Sequence, residues 1–295
     1  MNNISSNRSK AYRVFCLIAI IILALLFLFP LYWIITGAFK TGADIYAKTP
    51  AWWPSEWTLA NFVKLFSRRS APLFEIFGLE GPTVPGAIRW LINTVAMSVG
   101  AMLLTCLTAS MAGYALAKKR FVGRALLFSL IVCAMALPKQ VILIPLLKEM
   151  ATLNIWNTLW AVILPTVGWP FGVFLMKQFS EGVPGEILEA ARVDGASEWR
   201  TFTTIVMPII KPGIGALAIF TFINAWNDYF MQLVMLSSNN NFTISLGIAT
   251  MQAETSVDMG LLMSGAALAA VPIIIVFLIF QKYFTQGITM GAVKG

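Results

Sequence analysis

The chain has 295 residues, of which 58% are apolar and only 12% charged, with 21 Lys and Arg against 13 Asp and Glu. Soluble domains are roughly half apolar and one-quarter charged, so a lipid bilayer is the natural solvent for this inventory. The absence of histidine excludes histidine-based catalysis, and the formal charge of +8 sits in short clusters beside apolar runs, which fits membrane orientation rather than nucleic-acid binding.

In chain order, six apolar stretches are long enough to cross a hydrocarbon core of roughly 30 Å as helices: residues 14–36, 90–117, 125–147, 156–176, 214–236 and 261–280. The expected fold is an all-α integral membrane protein with six transmembrane helices. Arg8, Lys10 and Arg13 precede the first stretch, whose apolar run is too long for a cleaved signal and lacks a small-residue cleavage site. It reads as a retained anchor after a cytoplasmic tail, 1–13. Cys16, Cys106 and Cys133 lie inside apolar runs at wide spacing and read as small hydrophobes, not as a disulfide or zinc framework.

Residues 37–89 form a long segment that translocates regardless of its charge and is expected outside the cell membrane. Its Trp52, Trp53 and Trp57, with Pro50, Pro54, Pro72, Pro82 and Pro85, suggest a turn-rich, interface-anchored structure. Stacking of a sugar on these rings is the alternative reading. Residues 90–281 follow as a five-helix core. Basic residues cluster in the N-terminal tail, in Lys118, Lys119, Arg120 and Arg124, and in Lys177, Arg192, Arg200 and Lys211. The positive-inside rule puts all three segments, and both termini, in the cytoplasm, with a final tail at 282–295.

Within the cytoplasmic loop 177–213, a proline opens the segment PGEILEAARV, Glu186 suits the first helical turn, and strong helix formers follow. Asp194-Gly195 is a stop, with Gly195 able to take the left-handed conformation, and Ser197 can cap a second helix ending at Pro208. Such a rigid knuckle suits being pushed by a moving partner: Ala190-Ala191 permits close approach and Glu189 offers an anionic handle. The alternative is an amphipathic connector lying on headgroups, beside which Glu186 and Glu189 would be poor choices.

The run Glu189-Ala190-Ala191-Arg192-Val193-Asp194-Gly195-Ala196, continuing through Phe202 and Ile205 to Pro208 and Pro212, resembles the EAA loop of binding-protein-dependent ABC importer permeases. Three further segments resemble the carbohydrate group, and within it the smaller maltose-type permease subunit: Phe222 to Asp228, Leu137-Pro138-Lys139-Gln140 with Ile144-Pro145, and Gly287 to Gly295. The resemblance implies a type I ABC importer permease in a bacterial cytoplasmic (inner) membrane. It further implies a second homologous permease subunit, an ATPase dimer that binds ATP and Mg, and an extracytoplasmic solute-binding protein. Glu189, Ala190, Ala191, Asp194 and Gly195 would couple to the ATPase, and the tail Thr289 to Gly295 would reach between its subunits.

Asp228 is the one acidic side chain inside the six stretches, where a charge is costly enough to mark function. With Asn224, Trp226, Asn227 and Tyr229 it forms a polar and aromatic set suited to a sugar pathway, although interhelical hydrogen bonding would use the same residues. Lys139 adjoins Pro138, which should kink its helix, and either snorkels outward or lines the cavity.

The chain has no phosphate-cradling G-x-x-x-x-G-K-[ST] string, so energy must come from another subunit, and no catalytic, metal or cofactor site of its own is expected. A related polyol or sugar phosphate is the alternative cargo. A secondary transporter would show an inverted repeat or several intramembrane ionisable groups, and neither occurs.

Overall fold

The computed structural model describes residues 2–76, 79–253 and 258–292, with side chains for 12–75, 79–253 and 258–281. The chain forms two compact units, residues 1–69 with 251–268, and residues 70–250 with 269–295.

The first unit opens on the Asn2–Ala38 helix, whose apolar side chains from Val14 to Phe29 point outward. An outward apolar surface of that length belongs in lipid, where every backbone group must be satisfied within the helix. At its far end Phe29, Tyr32 and Trp33 meet Trp52 and Trp53, with ring centroids 5.9–6.3 Å apart across the two segments. The Lys40 ammonium stands 4.0 Å from the Trp33 ring. This is the make-up of an interfacial aromatic belt. Buried Asn61 closes the helix end by donating to the carbonyls of Ala38 at 3.1 Å and Lys40 at 2.9 Å, two acceptors that the helix cannot satisfy itself. Asp258 caps the start of the Met259–Ala292 helix by accepting from the Leu261 amide at 3.1 Å, and pairs with Lys64 at 3.2 Å.

The second unit begins with two short antiparallel hairpins, Ser70–Pro72 with Thr83–Pro85 and Glu75–Ile76 with Leu79–Glu80. Its central element is the Gly86–Lys118 helix, which packs on the helices Trp160–Val167, Pro170–Glu181 and Lys211–Asn227. Gly113 allows the closest approach: a methyl group there would stand 2.6 Å from the Lys177 amide nitrogen and the Met176 carbonyl carbon. At the other end, Asn93 donates to the carbonyls of Asn240 and Phe242, and the Trp90 indole to Asn239, so the Asn239–Asn241 turn is fastened to the helix.

Among the described residues three helices are long and apolar enough to cross a membrane, and the number rises to at most six if each of three bent helix pairs is one span. The expected third stretch, 125–147, is not one helix: Arg124–Ala134 and Lys139–Thr152 meet at 105°, because Pro138 lacks an amide hydrogen and is extended, with ψ of 128°. The fourth, 156–176, breaks by 41° between Trp160–Val167 and Pro170–Glu181, ahead of Pro170. The fifth, 214–236, starts earlier, at Lys211, and stops at Asn227, with Tyr229–Met235 following as a separate helix. The connection after it, 237–260, holds an apolar helix, Ile244–Ala253. Residues 37–89 are likewise divided: Gly42–Ile45 and Ala60–Ser67 belong to the first unit and the hairpins to the second. Of the expected C-terminal tail, 293–295 and the side chains from 282 onward lie outside the described residues.

Candidate functional site

Two places in the second unit gather the side chains singled out by the sequence. The first is the knuckle. Pro184 stands just before the Gly185–Val193 helix, which carries Glu186 in its first turn and Arg192 in its last, both favourable to the helix dipole. The helix closes with paired bonds from the Ala196 amide to the Ala191 carbonyl at 2.9 Å and from the Gly195 amide to the Arg192 carbonyl at 3.1 Å. That pattern requires a left-handed residue, and Gly195 supplies it with φ of 74°. Ser197 then caps the second helix by accepting from the Arg200 amide. This helix runs beyond its expected end to Ile209, through a widened turn, Phe202–Val206. The widening precedes Pro208, which has no amide hydrogen for the ordinary helical bond.

The knuckle is anchored rather than free. Leu188, Phe202 and Val206 pack into a cluster with Tyr114, Met176, Val183 and Leu217. Lys118 donates to the carbonyls of Glu181 at 3.0 Å and Val183 at 2.6 Å, and Lys119 pairs with Glu198. Burial disfavours the Lys119 charge, but Glu198 and Tyr114 outweigh it and hold its pKa above the ordinary lysine value.

Glu189, Ala190, Asp194 and Gly195 are exposed, whereas Ala191 is buried beneath the helix. Neighbouring residues on a helix point about 100° apart, so the two alanines serve different surfaces. Ala191 lets the knuckle approach its own bundle; Ala190 faces out. The sequence reading missed the outward apolar side chains Ile187, Val193 and Trp199, exposed by 41%, 86% and 59%. Apolar residues so displayed on a rigid turn are the signature of a surface awaiting cover.

The second place lies where two helices break. Lys139 opens the helix after Pro138, and its ammonium lies 3.1 Å from Asp228 Oδ2 and 3.2 Å from Asn224 Oδ1. Asp228 stands between the Lys211–Asn227 and Tyr229–Met235 helices and caps the latter through the Met231 amide. Fully buried Gln232 donates to the Ala225 and Trp226 carbonyls that the break leaves free, and accepts from Thr243 at 2.6 Å.

Lys139, Asn224, Asn227 and Asp228 border a cleft of about 470 Å³ whose remaining wall is Trp169, Phe220 and Ile223. A neighbouring cavity of about 410 Å³ shares Lys139, Trp169, Asn224 and Asp228. An aromatic wall facing amide, carboxylate and ammonium groups can stack on a sugar ring and bind its hydroxyls. Trp226 does not border that cleft: it is buried and stacks on Phe222, with centroids 5.5 Å apart. Tyr229 stands beyond the break and is absent from the cleft wall. Trp169 was missed; the only signal was its place before Pro170, at a helix break. Among the described residues no group of His, Cys, Asp and Glu could hold a metal ion.

Residues 105–290 match the family described as binding-protein-dependent transport system inner membrane component. The chain is similar to the arabinooligosaccharides transport system permease protein AraQ of Halalkalibacterium halodurans, at 35% identity over 92% of this chain and 93% of that protein. It is also similar to the protein of the same name from Bacillus subtilis, at 31% identity over 98% and 99% of the two chains. Among solved structures it resembles a chain of a bacterial ABC transporter involved in the import of the acidic polysaccharide alginate, with a TM-score of 0.75 and 20% identity over 94% and 98% of the two chains.

Proposed function

The chain belongs to the family of binding-protein-dependent transport system inner membrane components, and from that membership we propose that it is the permease subunit of an ABC importer for a sugar or oligosaccharide. The names of its relatives support a carbohydrate cargo. A second permease completes the pathway, an ATPase dimer supplies the energy with its own ATP and Mg, and a solute-binding protein delivers the cargo outside.

The observation that carries this reading is the knuckle: a two-helix turn, locked to the bundle from beneath by Leu188, Phe202 and Lys118, that leaves Glu189, Ala190 and Gly195 exposed beside Ile187 and Val193. A rigid projection transmits displacement where a floppy loop would absorb it. Glu189, Ala190, Asp194 and Gly195 meet the ATPase, and Ala191 supports them. The basic clusters support a cytoplasmic position for this surface and for both termini.

The Lys139–Asp228 cleft, with Asn224 and Asn227, is this subunit's contribution to the pathway, and Trp169 takes the stacking role first expected of Trp226. Trp226 and Tyr229 support the break from either side. The test is reconstitution of the complete assembly with its binding protein, measuring ATPase activity against a panel of sugars that begins with arabinooligosaccharides. Stimulation by at least one sugar is expected; full transport by this chain without an ATPase would overturn the reading.

A further inference from the structure

A cleft of about 580 Å³ separates the end of the Gly86–Lys118 helix from the knuckle, and it is lined by polar groups. Lys118, Lys119 and Arg120 line it from the first side and Glu189, Arg192 and Glu198 from the knuckle, so cations outnumber carboxylates. Lys118 is spent on backbone carbonyls and Lys119 on Glu198. The Arg120 and Arg192 side chains make no ion pair or hydrogen bond among the described residues, which leaves two guanidinium forks open. Tyr114, 6% exposed, also lines the cleft, with the Lys119 ammonium 5.2 Å from its ring centroid. Two open guanidinium forks call for an anionic acceptor.

The turn beside the cleft says which acceptor. Gly123, with φ of 84°, folds the chain back so that Phe121 is 44% exposed and Val122 wholly so, between Arg120 and Arg124. The helix that ends at Lys118 has 33 residues, about 50 Å at 1.5 Å per residue, while the hydrocarbon core is roughly 30 Å thick, so its last turn emerges among headgroups. Apolar tips flanked by guanidinium groups at that depth match the boundary between acyl chains and phosphates, where basic pockets between spans hold acidic lipids.

We propose that this cleft binds the headgroup phosphate of an anionic phospholipid, with Arg120 and Arg192 pairing with its oxygens and Phe121 and Val122 seated in the adjoining acyl layer. The lipid bridges the end of the span and the knuckle. The inference rests on the membrane-spanning fold and not on the coupling role, so either can fail without the other.

The test is native mass spectrometry of the intact assembly purified from bilayers of phosphatidylglycerol and phosphatidylcholine. Phosphatidylglycerol should be retained in preference. Arg120→Gln should lower that retention about fivefold, the effect of one basic group near an anionic surface. Arg192→Gln should lower it as well, while Arg68→Gln, outside the cleft, should not. Equal retention of the two lipids, or wild-type retention in both cleft variants, would overturn the proposal. Displacement of the lipid by millimolar inorganic phosphate would overturn it in favour of a soluble-anion site. Loss of ATPase subunits instead of lipid from the Arg120→Gln assembly would overturn it in favour of a protein contact.

Discussion

Lys139 and Asp228, 89 residues apart in the chain, form a 3.1 Å ion pair that joins two helix breaks, one at Pro138 and one after Asn227. Each break frees backbone groups that would be costly in lipid, and the pair sets a charge against a charge at that point. Its side chains are 46% and 19% exposed, so it is neither fully desolvated nor a surface pair. Asp228→Asn should lower uptake roughly tenfold, between the small effect of exposed pairs and the large one of buried pairs, with assembly unchanged by size-exclusion chromatography. The exchange Lys139→Asp with Asp228→Lys should recover part of that loss. Unchanged uptake kinetics in Asp228→Asn would remove the pair from the transport pathway.

Gly195 has open space around it within this chain and a positive φ, so its substitution strains the backbone without a clash inside the bundle. Gly195→Leu should strain the knuckle by about 1–2 kcal/mol, leave membrane insertion intact and abolish coupled uptake. Gly195→Asn, which tolerates the left-handed region, should retain more activity. Equal activity in the two variants would show that the turn geometry is not what coupling needs.

Gly113 offers the opposite case, since a methyl group there collides with backbone atoms of the neighbouring Pro170–Glu181 helix. Gly113→Ala should destabilise the second unit by about 1–3 kcal/mol, read as a lower thermal midpoint in detergent. Gly42→Ala, with no atom within 4 Å, should leave the midpoint unchanged. A midpoint unaffected by Gly113→Ala would contradict the close approach.

Asp258 gives a pH prediction. Burial opposes its charge, but the Leu261 amide, Lys64 and the Gly260 amide outweigh that and hold its pKa below the ordinary value. A depressed carboxylate stabilises the fold fully above its unfolded pKa of about 3.9, and that contribution is lost as pH falls through the folded pKa. Asp258→Ala should cost about 1 kcal/mol, the worth of a helix cap. The difference from wild type should hold steady from about pH 8 to about pH 5 and shrink below about pH 4. A difference that grew on acidification would contradict the assignment.

The knuckle was legible because its signals are local: Pro184, Gly195 and Ser197 each act on the backbone within a few residues, and the structure places each where that chemistry requires. The six apolar stretches were legible too, since hydropathy averages over a window. That same averaging hid the breaks at Trp169 and Asp228, where the run stays apolar while the helix stops. Pro138 gave its bend away, but no local rule pairs Lys139 with a carboxylate so distant in sequence. The inward turn of Ala191 belongs to tertiary packing, which residue type does not encode.

The most direct measurement is cysteine cross-linking at the knuckle: Ala190→Cys, in a chain with Cys16, Cys106 and Cys133 replaced, within the purified assembly. The coupling assignment requires a cross-link from this position to an ATPase subunit, altered in yield when nucleotide binds. A position that never cross-links to an ATPase, and that a membrane-impermeant thiol reagent modifies from outside intact cells, would contradict it.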